Sequence, residues 1–267
     1  MIELQAHSTV SDGELEPAAV VEAAAAAGVT VLALTDHDAV AGVEEANAAA
    51  ARARVAFVRA VEMSSVHELA DELHVLGYGI DVDAIAPACA RAQDERVARA
   101  AAIVERLKAN GVPVEFEDVV AEAGDAASIG RPHIARAAGA VDMGAFFELY
   151  LVPGAKAFVP RRWPTVAESV ALIREAGGAA VLAHPFWDLD DPAVVEALVD
   201  DAGFDGVECF YPSHTEEQTR FLVDLCTRWG LLVTGSSDFH GPAHKTFPRF
   251  GAYDTYGLRE PDVPSLS

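Results

Sequence analysis

Short aliphatic runs that end in turn residues, each trailed by a helical pattern, constrain this chain more than any other feature. Residues 31–35, 55–58, 73–78, 179–183, 206–210 and 231–234 are aliphatic or β-branched segments of strand length, and such runs suit buried strands bounded by turns. Residues 17–27 open on Pro17 and stop at Gly28. Residues 166–176 and 215–229 likewise stop at Gly177-Gly178 and Gly230, the expected punctuation of helices. Strand followed by helix, repeated, predicts an α/β chain built on a parallel sheet or barrel.

The middle of the chain departs from this rhythm. Residues 94–110, 116–123, 132–138 and 143–151 carry helical patterns with no convincing strand between them. The sequence therefore predicts one body from residues 1–90 and 158–267 and a helical subdomain inserted over 91–157, with 153–160 as the exit linker. Charge follows the same division. Ten basic and ten acidic residues lie between Arg91 and Arg162, so the net charge of −23 resides entirely in the remainder. Such a balance argues against duplex DNA as a partner, because phosphate contacts on that scale need a basic face. No apolar run approaches the ~20 residues of a membrane span. Cys89, Cys209 and Cys226 have no CxxC spacing, and the opening residues do not read as a leader, so the cytoplasm is the expected compartment.

Histidines fall where chemistry is expected in such a fold. His7, His37, His184 and His240 each follow an apolar run, and the carboxyl ends of parallel barrel strands share the face on which active sites are built. Asp12, Asp36, Asp38, Glu62 and Asp238 fall on the same face by the same reasoning. Imidazoles mixed with carboxylates, without thiolates, suit Zn, Mn or Fe. There is no Walker loop, no GxGxxG after a strand and no GxSxG elbow.

These motifs, in order, resemble the PHP (polymerase and histidinol phosphatase) metal-dependent phosphoesterases: Leu4-Gln5-Ala6-His7-Ser8, Ser11-Asp12-Gly13, Leu34-Thr35-Asp36-His37-Asp38, Val61-Glu62, Leu73-His74-Val75, Gly130-Arg131-Pro132-His133, Ala183-His184-Pro185 and Ser237-Asp238-Phe239-His240. The chain is most similar to the branch that removes the 3′-phosphate from nucleoside 3′,5′-bisphosphates and trims short RNA from its 5′ end. The resemblance implies a distorted seven-stranded β/α barrel of PHP type holding two to three divalent ions. Its ligands fall on His7, Asp12, His37, Glu62, His74, His184, Asp238 and His240. The family pattern begins His-x-His, and Gln5 stands at the first of those positions, offering a neutral and weaker ligand.

Catalysis is expected from Glu62, Asp238, His37 and His214, on a small phosphorylated substrate such as a nucleotide. The resemblance gives Ser213 and His214 a place facing the substrate, with His214 touching phosphate or protonating the leaving oxygen. Arg131 and His133 begin a predicted helix in the insertion and could hold phosphate. Asp38 reads as a structural residue, His67 as a surface one, and Lys156, Arg161 and Arg162 as solvated linker charges. His184-Pro185 could alternatively be only a rigid turn, because the residue before a proline is driven extended. Two alternatives stay open: a histidinol phosphate phosphatase, and a degenerate barrel that binds without catalysing.

Overall fold

A computed structural model describes residues 1–124 and 129–264. Seven strands form one sheet in chain order: β1 (Ile2–Glu3), β2 (Val31–Leu34), β3 (Ala56–His67), β4 (Ala70–Tyr78), β5 (Ala179–Leu182), β6 (Gly206–Phe210) and β7 (Leu232–Gly235). The sheet curls into a nearly closed barrel, the gap between β7 and β1 being bridged where Ala6 meets Phe239 and the His7 amide donates to the Phe239 carbonyl at 2.8 Å. Helices α1 (Pro17–Ala26) and α2 (Val43–Ala53) cover one side. On the other side lie α7 (Val166–Glu175), α9 (Pro192–Ala202) and α10 (Glu216–Trp229), with the short α8 (Pro185–Asp188) at the rim. Between β4 and α7 run α3 (Val82–Ala109), α4 (Phe116–Ala123), α5 (Arg131–Ala137) and α6 (Met143–Phe146), the last continuing as a π-helical turn over Phe147–Leu151.

The barrel is not uniformly parallel, which corrects the expectation from strand–helix alternation. β4 runs antiparallel to both β3 and β5, while the remaining neighbours are parallel. Only Glu68 and Leu69 separate β3 from β4, and so short a link permits a hairpin but no crossover. β3 also runs on through a segment that reads as polar surface. Strand alternation turns Val58 and Ala60 into the barrel with Leu76 and Tyr78, and Glu62, Ser64, His74 and Glu72 continue those same faces toward the rim. The reversal of β4 thus places the early part of that strand where the other strands end.

Three apolar layers hold this arrangement. Leu4, Ala33, Val58, Ala60, Leu76, Tyr78, Val181 and Ala183 fill the barrel. Leu32 and Leu34, from the opposite face of β2, pack under α1 and α2, and Leu182 and Val207 pack under the helices of the other side. A separate core joins Ile103 and Leu107 of α3 to Val119, Ile134 and Leu151. α3 belongs to both bodies. Asp81 caps it by accepting from the amides of Asp83 and Ala84 at 2.9 and 3.1 Å, so the helix starts well before residue 94 and carries Pro87 within it. Its first half packs Ile85, Ala88, Cys89 and Ala92 on the barrel side.

Tyr78 ties the barrel across its interior, its hydroxyl donating to the Leu4 carbonyl at 2.8 Å with both residues buried. Tyr78→Phe strands that carbonyl in an apolar interior and is expected to cost about 1–3 kcal/mol. Urea denaturation of the two proteins measures the difference.

Candidate metal centre

The rim where β1, β2, β5 and β7 end is shaped by loops that aim polar side chains inward. Asp36 clamps the loop after β1, accepting from the Ser8 amide, the Ser8 hydroxyl and the Ser11 hydroxyl, each at 2.7 Å. Within that loop the amides of Ser11 and Gly13 both donate to the Ser8 carbonyl, and this turn presents Asp12. Any side chain at Gly13 would place its Cβ 2.3 Å from the His7 carbonyl oxygen. His184 and Asp238 hold positive φ angles of 25° and 54°, conformations that are costly for residues other than glycine and cluster at functional sites. His184 is therefore not extended despite Pro185. Its amide donates to Glu208 at 2.9 Å while its ring turns to Glu62, and these two anchors override the preference before proline.

Glu62 sits at the centre of the floor and is fully buried. One of its oxygens lies 2.9 Å from His74 Nδ1 and 3.1 Å from His184 Nε2; the other lies 3.1 Å from His7 Nε2 and 3.4 Å from His37 Nδ1. His7 Nε2 is also 3.1 Å from Asp238 Oδ1. Asp12 reaches His7 at 3.6 Å, His37 at 3.7 Å and His240 at 3.5 Å. Two ligand groups emerge, one of His7, Asp12, His37 and His240 and one of His37, Glu62 and His74. Donor atoms around a shared ion at 2.0–2.2 Å stand about 2.8–3.6 Å apart in tetrahedral or octahedral arrangements. The observed separations lie close to that range. His7 Nε2, His37 Nδ1, Glu62 Oε2 and Asp238 Oδ1 are buried without a hydrogen bond among the described residues. Buried polar atoms otherwise find partners, so a convergent set of this kind fits divalent cations.

The electrostatics divide the cluster: burial would lower every imidazole, yet the carboxylates hold His7, His74, His184 and His240 above the ordinary value, and of the five only His37 falls below it. Burial by itself would raise the Glu62 and Asp238 carboxyls. The surrounding imidazoles overcome it, holding Glu62 well below the ordinary carboxylate value and Asp238 at about 2. Burial, reinforced by His7 and His74, keeps His37 down at about 4 despite nearby Glu62 and Asp12. Both the carboxylates and His37 therefore present lone pairs at neutral pH, as ligands must. His240 is held in the correct tautomer, since Nδ1 donates to the Asp238 carbonyl at 2.8 Å and leaves Nε2 open toward Asp12.

The structure brings His7, Asp12, His37, Glu62, His74, His184, Asp238 and His240 together. Gln5 is buried, but its side-chain oxygen faces Ser236 at 3.5 Å. Arg131 and His133 line a cleft of about 880 Å³ above the floor, facing Asp12, His37 and His74. Ser213 is exposed. His214 is buried behind the rim, edge-on to Phe186, with Nδ1 donating to the Cys209 carbonyl at 3.0 Å and burial holding its pKa down at about 4.

Several contributors lie outside the motifs. Tyr211 donates to Asp238 Oδ2 at 2.8 Å. Arg161 is no solvated linker charge: it is buried, 2.9 Å from Glu72 and 3.6 Å from Asp38. Arg96 bonds Asp38 at 2.8 Å and approaches Glu72 at 3.5 Å, and Asp38 in turn accepts from the Ser64 amide. Glu72 also stands 3.8 Å from His74 Nε2, on the side of the ring away from Glu62. The signal for Glu72 was its place two residues before His74, on the same strand face. Arg161 carries no local sign, because its partners come from residues 38 and 72.

The model of the PHP domain family matches residues 3–118. The chain is 36% identical over 250 residues to a 3′,5′-nucleoside bisphosphate phosphatase of Chromobacterium violaceum, covering 90% of this chain and 87% of that protein. It is 34% identical over 249 residues to a 5′-3′ exoribonuclease of Haemophilus influenzae, covering 90% of each. A solved structure from Chromobacterium violaceum, described as an amidohydrolase with bound sulfate and no metal, superposes with a TM-score of 0.82 at 34% identity, over 97% of this chain and 93% of that one. Kinship over nine-tenths of its length places the chain in the PHP family, and it is a metal-dependent phosphoesterase.

Proposed function

We propose that this cleft hydrolyses the 3′-phosphate of nucleoside 3′,5′-bisphosphates, and that it also removes nucleotides from the 5′ end of short RNA. One observation carries the reading: a floor of five imidazoles and three carboxylates lies beneath a wall bearing Arg96, Arg99, Arg131 and His133. The floor suits cations and the wall suits a second phosphate. The two activities belong to the relatives in Chromobacterium violaceum and Haemophilus influenzae, and both reactions hydrolyse a phosphoester of a nucleotide. No comparable observation favours histidinol phosphate or a non-catalytic barrel.

In this proposal two to three divalent ions, of Mn, Zn or Fe, are held by His7, Asp12, His37, Glu62, His74, His184, Asp238 and His240. Gln5 supplies a neutral position beside them. Bound there, such ions supply a nucleophile of lowered pKa and offset charge on the phosphoryl oxygens. The protein's own groups do the positioning. Glu62 fixes the rings of His7, His37, His74 and His184 against one another, and Tyr211 holds one Asp238 oxygen so that the other faces His7. Arg131 presents its guanidinium to the anionic substrate from α5, and His133 joins it. His133 Nδ1 accepts from the Gly130 amide at 3.0 Å, which leaves the proton on Nε2. Ser213 and His214, expected to face the substrate, are not among the residues that line this cleft, and His214 is buried with its Nδ1 proton given to Cys209, so it has no proton for a leaving oxygen.

Dialysis against a chelator is expected to abolish release of phosphate from adenosine 3′,5′-bisphosphate, and added Mn or Zn to restore it. Full turnover by protein shown metal-free by elemental analysis refutes the reading. Arg131→Ala is expected to lose about 1.5–3 kcal/mol of transition-state binding, roughly a 10- to 150-fold fall in kcat/KM, with bound metal unchanged. Gly13→Ala must displace the turn that presents Asp12, so metal content and turnover should both fall while circular dichroism stays the same; wild-type metal content in this variant would show that Asp12 holds no ion.

A further inference from the structure

His244 lies in the loop after β7, four residues beyond His240, and is absorbed by none of the motifs. Its ring is held on several sides. It stacks on Phe247 with centroids 5.6 Å apart and planes 7° apart, and on His240 at 4.9 Å and 24°. The His244 amide donates to the Gly241 carbonyl at 3.1 Å, and the adjacent Ala243 amide donates to Glu14 at 2.8 Å. Glu14 is anchored in turn by its own amide, which donates to the His240 carbonyl at 2.7 Å.

The decisive contact is the Phe247 amide donating to His244 Nδ1 at 3.1 Å. A backbone N–H can only donate, so Nδ1 must carry a lone pair and the ring's single proton must sit on Nε2. The side chain lines the same cleft as Asp12, Gly13, Arg131 and His133. His133 is fixed in the same tautomer by the Gly130 amide, from the wall formed by α5. The cleft is thus flanked by two neutral imidazoles, one on the insertion and one on the barrel, each with its proton on Nε2.

From this geometry we infer that His244 is a substrate-binding residue whose Nε2–H donates a hydrogen bond to a non-bridging oxygen of the phosphoryl group. It rests on phosphoester hydrolysis in this cleft. A neutral imidazole donates without giving up its proton, so no proton transfer is assigned to it and no bond is made or broken there. Its contribution is a directed contact that adds no charge, where Arg131 adds both.

The test uses the metal-loaded enzyme and two variants. His244→Phe keeps a flat ring against both His240 and Phe247 but lacks the donor; His244→Gln places an amide N–H near the position of Nε2. The readouts are metal content, the Kd for inorganic phosphate by calorimetry, and kcat/KM for adenosine 3′,5′-bisphosphate and p-nitrophenyl phosphate. With metal content unchanged, His244→Phe is expected to weaken phosphate binding and lower kcat/KM for both esters by about 10- to 150-fold, the loss of one hydrogen bond to a charged acceptor. His244→Gln should recover most of that loss. Wild-type values in His244→Phe overturn the inference. So does a parallel fall in metal content, which would make His244 a support for His240, and so does a loss confined to the bisphosphate, which would place the contact on the nucleoside. Were the wild type to turn over neither ester, the proposed substrate would fall, while the phosphate-binding comparison would still decide His244.

Discussion

One carboxylate meets four imidazoles in this molecule: Glu62 lies within 3.4 Å of His7, His37, His74 and His184. Four strands or their trailing loops must deliver those rings to one point, and a fully buried charge tolerates little error in doing so. The nearly closed barrel is the device that satisfies this demand. Its strands converge, with the gap between β7 and β1 bridged where Ala6 meets Phe239, and the hairpin of β3 and β4 carries Glu62 and His74 on neighbouring strands of the same wall. Removing Glu62 would take from His74 and His184 their central anion and leave His7 and His37 only Asp12 and Asp238.

A second layer repeats the pattern with arginines. Asp38 and Glu72 are shared by Arg96 and Arg161, and Arg131 stands 3.9 Å from Glu72. Glu72 therefore touches both sides of the chemistry, approaching His74 from outside the floor and Arg131 from beneath the cleft wall. Ion pairs so deeply placed add little net stability. What they provide is a fixed relation between the ring at the floor and the guanidinium above it.

Much of this was legible in the chain, and the exceptions share a cause. The strand run at 179–183 was readable because its inward and outward faces are both apolar, that at 206–210 because Val207, Cys209 and Phe210 outweigh the buried Glu208, and His7, His37, His184 and His240 announced themselves by following such runs. β3 escaped beyond residue 58 because its inward positions, Glu62 and Ser64, are polar for the sake of the site, so the pattern that marks a strand fades where the strand matters most. The reversal of β4 hinged on a two-residue turn lacking the usual glycine or asparagine signals. Arg161 and Tyr211 were silent because their partners are distant in sequence. His184 defied the rule for residues before proline because Glu208 and Glu62 together outweigh a local preference.

The continuity of α3 has a mechanical consequence. Its 28 residues make a rod about 42 Å long, seated at one end in the barrel through Ile85, Ala88, Cys89 and Ala92 and at the other in the insertion through Ile103 and Leu107. Arg96 and Arg99 project from the stretch between those seats. The gap between floor and wall is then set by a rigid beam rather than by a flexible tether, so widening it for a larger ligand means bending or unseating that beam. The dimensions of the acceptable ligand are written into the pitch of a single helix.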